Sequence, residues 1–233
     1  MNELAIIYED NHILVVIKPQ GLPCCADKSE DMDLLTMLKE HRKANEEKPG
    51  EAFVGLVHRL DRVTGGVMVY AKTTKAAARL SEQLKNGEFY KKYLTIVKGS
   101  PKERSGKLEN HLLKNSKTNK VDIVGAAVSG AKRAELDYNV RTVLEKVSLV
   151  EVELVTGRSH QIRAQFSHIG NPVLGDKKYG GWPEKELALW AHELKFKHPT
   201  QDQVMAFVVN PPEDEPWTKF DFNRKAHKLK EEG

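Results

Sequence analysis

The densest group of reactive side chains lies at residues 58–66, which read HRLDRVTGG between two apolar segments. Asp61 stands between the cations Arg59 and Arg62, and neighbouring positive charge favours the ionised form of a carboxylate. An ionised Asp61 can act as a nucleophile, although the same residues also fit a structural Asp–Arg pair. The glycines that follow fit a close approach of the backbone to a ligand or a loop with a positive φ angle.

A second polar group follows a strand-like segment at residues 156–163, which read TGRSHQIR. A short helix is predicted to begin here, and helix N-termini attract anions. Arg158 and Arg163 therefore offer phosphate contacts or a cation that pairs with Asp61. Both also fit ordinary surface arginines, and spacing alone does not choose among these alternatives.

The segments around these two groups predict an alternation of strands and helices. Residues 4–9 and 12–18 predict a β-hairpin, residues 33–42 a helix capped by Asp33, and residues 44–51 a loop. Further helices are predicted from Thr73 or Thr74 to Asn86 and at residues 159–167. Strand-like composition recurs at residues 67–71, 93–97, 107–113, 134–140, 147–155, 187–195 and 204–209. This order predicts a mixed or antiparallel sheet with flanking helices.

Composition narrows the class of protein. Hydrophobic residues make up 39% of the 233 residues, yet no apolar run approaches the roughly eighteen residues of a membrane-spanning helix. Cys24 and Cys25 are adjacent and are the two cysteines of the chain, which argues against a disulfide framework or a zinc cluster. We therefore expect a cytoplasmic protein without a membrane segment or a metal.

Positive charge is modest in sum but clustered. The net charge of +4 and the pI near 8.9 favour polyanionic partners only mildly. Each cluster fits a solvated surface when it is taken alone, and together they fit an RNA-binding surface. The clusters are residues 90–93, 114–120, 132–133, 177–178, 195–197 and a basic tail at about 219–233.

Four motifs in order resemble those of the RluA-type pseudouridine synthases. Residues 17–22 (IKPQGL) resemble the family's early motif, and residues 58–61 (HRLD) with Thr64 resemble its catalytic motif. Residues 91–93 (KKY) resemble its basic-tyrosine motif, and residues 157–180 resemble the motif that follows in the second half of the family's sequences. Two positions depart from the family pattern: Gly65 stands where the family usually has Ser, and Trp190 where relatives often carry His. The chain begins directly with these motifs, without the S4 module of several relatives, so we expect RNA affinity to come from the catalytic body.

The resemblance implies an isomerase that converts uridine to pseudouridine in structured RNA without cofactor or metal. It implies that Asp61 is the catalytic acid, Arg163 its ion-pair partner, and Arg158 a further substrate contact. Tyr93 would pack on the target base, and Arg59 would fill the space that the base vacates. His58, His160 and Gln161 would orient the site, and Asp176 would be structural. The implied fold is α+β, a single domain over residues 1–233 whose central bent sheet surrounds a basic cleft.

Two other functions fit the residues. One is a non-catalytic RNA-binding or RNA-folding protein on the same scaffold. The other is a nucleoside hydrolase, which the lack of a second plausible catalytic acid disfavours. As the RNA partner, ribosomal RNA is preferred over transfer RNA because many relatives act there. We expect a monomer that does not act on DNA.

Overall fold

Eleven strands and three α-helices occupy residues 4–45 and 52–221, the part of the chain that this computed structural model describes. The helices are α1 (Leu34–Asn45), α2 (Thr74–Lys85) and α3 (Gln161–His168). The strands are β1 (Ala5–Glu9), β2 (Ile13–Lys18), β3 (Gly55–Leu56), β4 (Gly65–Ala71), β5 (Tyr90–Lys98), β6 (Ser105–Asn115), β7 (Lys120–Val124), β8 (Lys132–Leu144), β9 (Val147–Leu154), β10 (Leu189–Lys197) and β11 (Val204–Val208). Most of the predicted loop at 44–51 and most of the predicted basic tail lie outside the described residues.

The strands form one sheet in the order β1-β2-β4-β10-β5-β9-β8-β6-β7, with β3 beside β4 and β11 beside β10. β4 and β10 pair in parallel through Gly65 with Trp190 and Gly66 with Ala191. The other pairs between the described strands are antiparallel. The predicted mixed α+β class is confirmed.

β4 organises the first half of the sheet because all seven of its residues are buried. Successive side chains of a strand point to opposite faces, so a strand that is buried throughout must be covered on both sides. Leu38 of α1 belongs to the apolar cluster of Met68, and Leu80 of α2 belongs to the cluster of Val69. The two helices therefore cover opposite faces of β4 and hold the loop that precedes it.

Local capping determines where these helices begin and end. The Asp33 carboxylate accepts a hydrogen bond from the Thr36 N–H at 3.1 Å, and the Thr73 hydroxyl accepts one from the Ala76 N–H at 3.1 Å. Both predicted caps are confirmed, although α1 runs three residues beyond the predicted end at 42. β7 was not predicted: the basic cluster at 114–120 is the end and turn of a β6–β7 hairpin.

No helix within residues 4–45 and 52–221 is long and apolar enough to cross a membrane. The two longest have 12 residues, whereas a membrane-spanning helix needs about 20.

Candidate active site

A cleft of about 940 Å³ opens between the loop before β4, the start of β5 and the loop before α3. Its lining includes two aspartates, Asp27 and Asp61, and is otherwise dominated by positive charge. The lysines and arginines in its wall are Arg59, Arg62, Lys85, Lys91, Lys114, Arg158, Arg163 and Lys178. The predicted basic cleft is present, and it holds the predicted site residues Asp61, Arg59, Tyr93, Arg158 and Arg163.

Asp61 lies in the loop between β3 and β4, with its side chain 25% exposed. The Thr64 N–H donates to the Asp61 main-chain carbonyl at 2.9 Å and closes a turn around the residue. Arg163 Nη1 lies 3.2 Å from Asp61 Oδ2, and His160 Nε2 lies 3.7 Å from the same oxygen. Within the described part of the chain, no hydrogen bond or ion pair occupies Oδ1. One carboxylate oxygen is therefore held and the other is available to a ligand.

Arg163 is positioned by a second carboxylate. Its Nε donates to Asp176 Oδ2 at 2.7 Å and its Nη2 donates to Asp176 Oδ1 at 2.8 Å. The N–H groups of Lys178 and Tyr179 donate to Asp176 Oδ1 and hold that side chain, which is fully buried. Burial acts to lower the pKa of Arg163, but Asp176 and Asp61 together raise it above its ordinary value. Asp176 thus leaves Nη1 of the guanidinium directed at Asp61.

The prediction that Arg59 and Arg62 supply the positive charge beside Asp61 is wrong. Arg62 turns away, with its Nη2 2.6 Å from Asp31 Oδ2 and its Nε donating to the Gly21 carbonyl at 2.8 Å. Arg59 is exposed and makes no hydrogen bond or ion pair with a described residue. The cation beside Asp61 is Arg163, 102 residues further along the chain. Arg59 remains available to a ligand in the cleft.

Strand β5 presents its side chains alternately to the cleft and to the opposite face of the sheet. Tyr93 and Lys91 line the cleft. Tyr93 is buried, and desolvation together with the charge of Asp61 raises the pKa of its hydroxyl, which therefore stays protonated. Lys92 points the other way, with its Nζ 2.9 Å from Glu151 Oε1 and 3.7 Å from Glu193 Oε2. The basic-tyrosine motif is thus divided between two faces of the sheet.

Lys18 stabilises the loop that carries Asp61 through hydrogen bonds to main-chain carbonyls. Its side chain is 0% exposed, and its Nζ donates to the carbonyls of Pro19 at 2.9 Å, Leu22 at 2.7 Å and Arg62 at 3.1 Å. Burial lowers the pKa of Lys18 to about 8. Sequence reasoning placed Lys18 in a motif but gave it no role. A lysine at the end of an apolar strand was the signal that it is buried against main-chain oxygens.

Cys24 also stabilises this loop through hydrogen bonds to the main chain. Its Sγ donates to the Leu60 carbonyl at 3.1 Å and accepts from the Leu60 N–H at 3.3 Å. Both cysteines are free thiols, and burial raises the pKa of Cys24. Cys24 is therefore an unreactive packing group that supports the residue next to Asp61.

The histidines near the cleft brace the loops. His58 Nε2 accepts a hydrogen bond from the Val69 N–H at 3.1 Å, and burial lowers the pKa of His58 to about 4, so the ring is neutral. His160 Nδ1 lies 2.9 Å from the Tyr179 hydroxyl, and burial lowers its pKa although Asp61 opposes the shift. Gln161 Oε1 accepts from the Arg158 N–H at 3.0 Å. These contacts set the position of the loop before α3.

Gly65 and Gly66, for which a close approach to a ligand or a positive φ angle was expected, bring the main chain close to β10. They are the first residues of β4 and lie against β10: a Cβ on Gly65 would be 2.3 Å from Trp190 Cζ3, and one on Gly66 would be 2.3 Å from the Ala191 carbonyl oxygen. Gly66 has a φ of +122°, which confirms the expected positive φ angle in this loop. The two departures from the family pattern, Gly65 and Trp190, are therefore in contact.

The donor set fits an aromatic, anionic ligand better than a metal ion. In residues 4–45 and 52–221, no group of three His, Cys, Asp or Glu side chains could hold a metal ion. The cleft instead offers one carboxylate with an available oxygen, a buried tyrosine and a ring of cations. Such a site can bind a nucleic acid strand through its phosphates and apply a carboxylate to one sugar or base.

Comparison with known proteins agrees with this geometry. Residues 12–168 match the family described as RNA pseudouridylate synthase. An RNA pseudouridine synthase of Aquifex aeolicus is 36% identical over 89% of this chain and 69% of its own length. The ribosomal large subunit pseudouridine synthase D of Zymomonas mobilis is 34% identical over 91% of this chain and 70% of its own length. The ribosomal large subunit pseudouridine synthase C of Escherichia coli is 34% identical over 90% and 66%.

Two solved human structures share the fold. RNA pseudouridylate synthase domain containing 4 superposes with a TM-score of 0.76 at 24% identity, covering 89% of this chain and 88% of that chain. RNA pseudouridylate synthase domain containing 1 gives 0.72 at 26% identity, covering 90% and 84%. This chain therefore belongs to the RNA pseudouridylate synthase family and is an isomerase that converts uridine in RNA to pseudouridine.

Proposed function

We propose that this isomerase acts on ribosomal RNA in the cytoplasm and that Asp61 is its catalytic carboxylate. The choice of RNA is supported by the names of relatives in Zymomonas mobilis and Escherichia coli, which are ribosomal large subunit pseudouridine synthases. The observation that carries the choice of Asp61 is its split environment. Oδ2 is held by Arg163 at 3.2 Å, and Oδ1 has no partner among the described residues.

The uridine must leave its stack before Asp61 can reach it, because the glycosidic bond and C5 are hidden in folded RNA. Extrusion of a base costs about a few kcal/mol. Packing of the extruded uracil on Tyr93 offsets part of that cost, since base–aromatic stacking contributes about 1–3 kcal/mol. Arg59, exposed at the rim without a described partner, fills the space that the base leaves. Arg158 contacts a phosphate.

Asp61 then either attacks C1′ of the ribose or removes a proton from the sugar. In both routes the bond between C1′ and N1 breaks and the uracil turns until C5 faces C1′. A carbon–carbon bond then forms between C5 and C1′. Its formation breaks the bond between Asp61 and C1′ in the first route, and in the second Asp61 returns the proton to the sugar. Loss of the C5 proton restores the aromatic ring, and the freed N1 takes up a proton. Atoms and electrons balance without a redox partner. Arg163 holds Asp61 Oδ2 in an ion pair at 3.2 Å, and burial favours the neutral form of the neighbouring His160.

The test measures tritium release from RNA labelled at uridine C5 and taken from cells that lack this gene. Ribosomal and transfer RNA are assayed separately with the wild type, Asp61→Asn and a matched control, Asp27→Asn. Asp27 is the other aspartate of the cleft lining. We expect release from ribosomal RNA with the wild type and with Asp27→Asn, and a loss of at least about 100-fold with Asp61→Asn.

Two outcomes would contradict the proposal in different places. Release from transfer RNA alone would overturn the choice of RNA and leave the role of Asp61 intact. Undiminished release by Asp61→Asn would overturn the catalytic role. A filter-binding measurement with each variant shows whether a loss of release reflects chemistry or failure to hold the RNA.

A further inference from the structure

Lys91 stands in the cleft wall two residues before Tyr93 on the same face of β5. Residues two apart on a strand are separated by about 7 Å. A ligand whose base packs on Tyr93 therefore extends its neighbouring backbone past Lys91.

Lys91 makes no hydrogen bond or ion pair with any residue that the structure describes. Its neighbour Lys92 shows the usual alternative, since that side chain pairs with Glu151 and Glu193 on the far face. The pKa values of the two lysines move in opposite directions. Burial and then the charge of Arg158 lower the pKa of Lys91, whereas hydrogen bonds to Glu151 and Tyr90, acting against burial, raise that of Lys92. Lys91 is a half-buried cation that lacks an anion.

The surroundings of the Lys91 ammonium group are shaped for such an anion. A Cβ on Gly157 would lie 3.4 Å from Lys91 Nζ, so the ammonium group lies over a stretch of backbone without a side chain. Arg158 follows in the chain, and its Nε donates to the Arg133 carbonyl at 2.9 Å, which orients the guanidinium group. Two like charges are thus held near each other, which is unfavourable unless a negative group lies between them.

We propose that Lys91 and Arg158 form a subsite for one phosphate of the RNA strand, adjacent to the nucleotide that enters the site. A phosphate accepts hydrogen bonds from both cations and removes their mutual repulsion. The inference rests on the proposed function, because the position of the phosphate is counted from a base packed on Tyr93. It assigns to Lys91 a binding role that is separate from the chemistry of Asp61.

The first test compares Lys91→Gln, Lys91→Arg and the matched control Lys92→Gln, each in an Asp61→Asn background so that binding is measured without turnover. The probe is a short synthetic stem-loop RNA whose loop carries a single uridine. We expect Lys91→Gln to weaken binding about tenfold and to reduce the slope of log affinity against log salt by about 0.7. Lys91→Arg retains the slope. Lys92→Gln should leave the affinity and the salt slope unchanged. The two glutamates that lose Lys92 keep another cation, because Arg141 pairs with Glu151 and Lys195 pairs with Glu193.

The second test locates the phosphate. Each phosphate around the uridine is replaced in turn by an uncharged methylphosphonate. We expect one replacement to weaken binding to the protein that retains Lys91 about tenfold. The same replacement should not weaken binding to the Lys91→Gln variant any further. Equal additional losses at every position would overturn the subsite. So would an unchanged salt slope with a reduced rate of tritium release in the active protein, since Lys91 would then act in the chemistry. Failure of the wild type to release tritium would contradict the proposed function and leave these binding results readable.

Discussion

Gly65→Ser would place a side chain in space that Trp190 already occupies. A Cβ at this position would lie 2.3 Å from Trp190 Cζ3, 2.8 Å from Trp190 Cε3 and 3.0 Å from Gln20 Cγ. Trp190 cannot move aside easily, because its side chain is 6% exposed and its Nε1 donates to the Val209 carbonyl at 3.1 Å. The serine found at this place in relatives is therefore incompatible with the tryptophan of this chain.

The size of the effect follows from overpacking. Extra atoms in a filled core cost about 1–3 kcal/mol, and at about 2 °C to 4 °C per kcal/mol the melting temperature should fall by roughly 6 °C. Trp190→His alone costs about 3 kcal/mol, because it leaves a cavity and removes the bond to Val209. In the double variant the serine occupies space that the smaller ring has vacated. Its free energy of unfolding should therefore exceed the additive expectation by about 1–2 kcal/mol.

The assay is urea unfolding followed by far-ultraviolet circular dichroism for the wild type, both single variants and the double variant. Gly125→Ser is the matched control, since a Cβ there meets nothing within 4 Å. It should be nearly neutral and additive with Trp190→His. A Gly65→Ser protein as stable as the wild type, or a coupling with Trp190→His below about 0.3 kcal/mol, would refute the reasoning.

Three further substitutions probe the loops around Asp61. The pKa of His58 is about 4 in the folded chain against 6.5 when unfolded. The unfolded chain therefore takes up the proton first, and stability falls by up to about 3 kcal/mol as the pH drops from about 6.5 towards 4. His58→Gln should flatten that part of a plot of urea midpoint against pH, and an unchanged plot would contradict the assignment. Asp176→Asn removes one of the two carboxylates that pair with Arg163, so the melting temperature should fall by roughly 10 °C. The value of kcat should also fall while RNA affinity is kept. An unchanged kcat would argue against positioning of Asp61 through Arg163. Lys18→Met leaves three carbonyls without their donor and should cost about 3 kcal/mol in urea unfolding, and a cost near zero would show that water replaces the ammonium group.

Those parts of the fold that depend on neighbouring residues could be predicted from the sequence. The Asp33 and Thr73 caps follow from side chains that hydrogen-bond three residues along, and the first hairpin follows from two apolar runs with a polar turn between them. β7 could not be predicted because its five residues form a strand only through pairing with β6. Its side chains give a weak alternation beside a basic turn, which is equally typical of a loop.

Local charge spacing left the partner of Asp61 open, whereas the family resemblance named Arg163, which the structure confirms. Asp61 and both candidate arginines beside it were identified, but Arg62 reaches Asp31 and Arg163 reaches Asp61 across 102 residues. Which pair forms depends on the approach of α3 to the loop before β4, and no local pattern encodes that distance. Local spacing left the partner of Asp176 open as well. Its carboxylate accepts two hydrogen bonds from Arg163 because the turn at residues 176–179 packs against α3, where the Ser167 hydroxyl donates to the Tyr179 carbonyl.

The division of β5 shows how a simple periodicity can still separate roles inside a motif. Adjacent lysines read as one basic cluster, yet a period of two requires Lys91 and Lys92 to face opposite sides of the sheet. Lys92 meets Glu151 and Glu193 there and contributes to folding, while Lys91 shares the cleft with Tyr93 and meets no described carboxylate. A half-buried charge without a folded-state partner lowers stability, and this cost is the reason that we assign a phosphate of the RNA to Lys91. Gly65 and Trp190 are likewise understood as a pair, because the missing side chain at Gly65 leaves the space that the larger ring of Trp190 occupies.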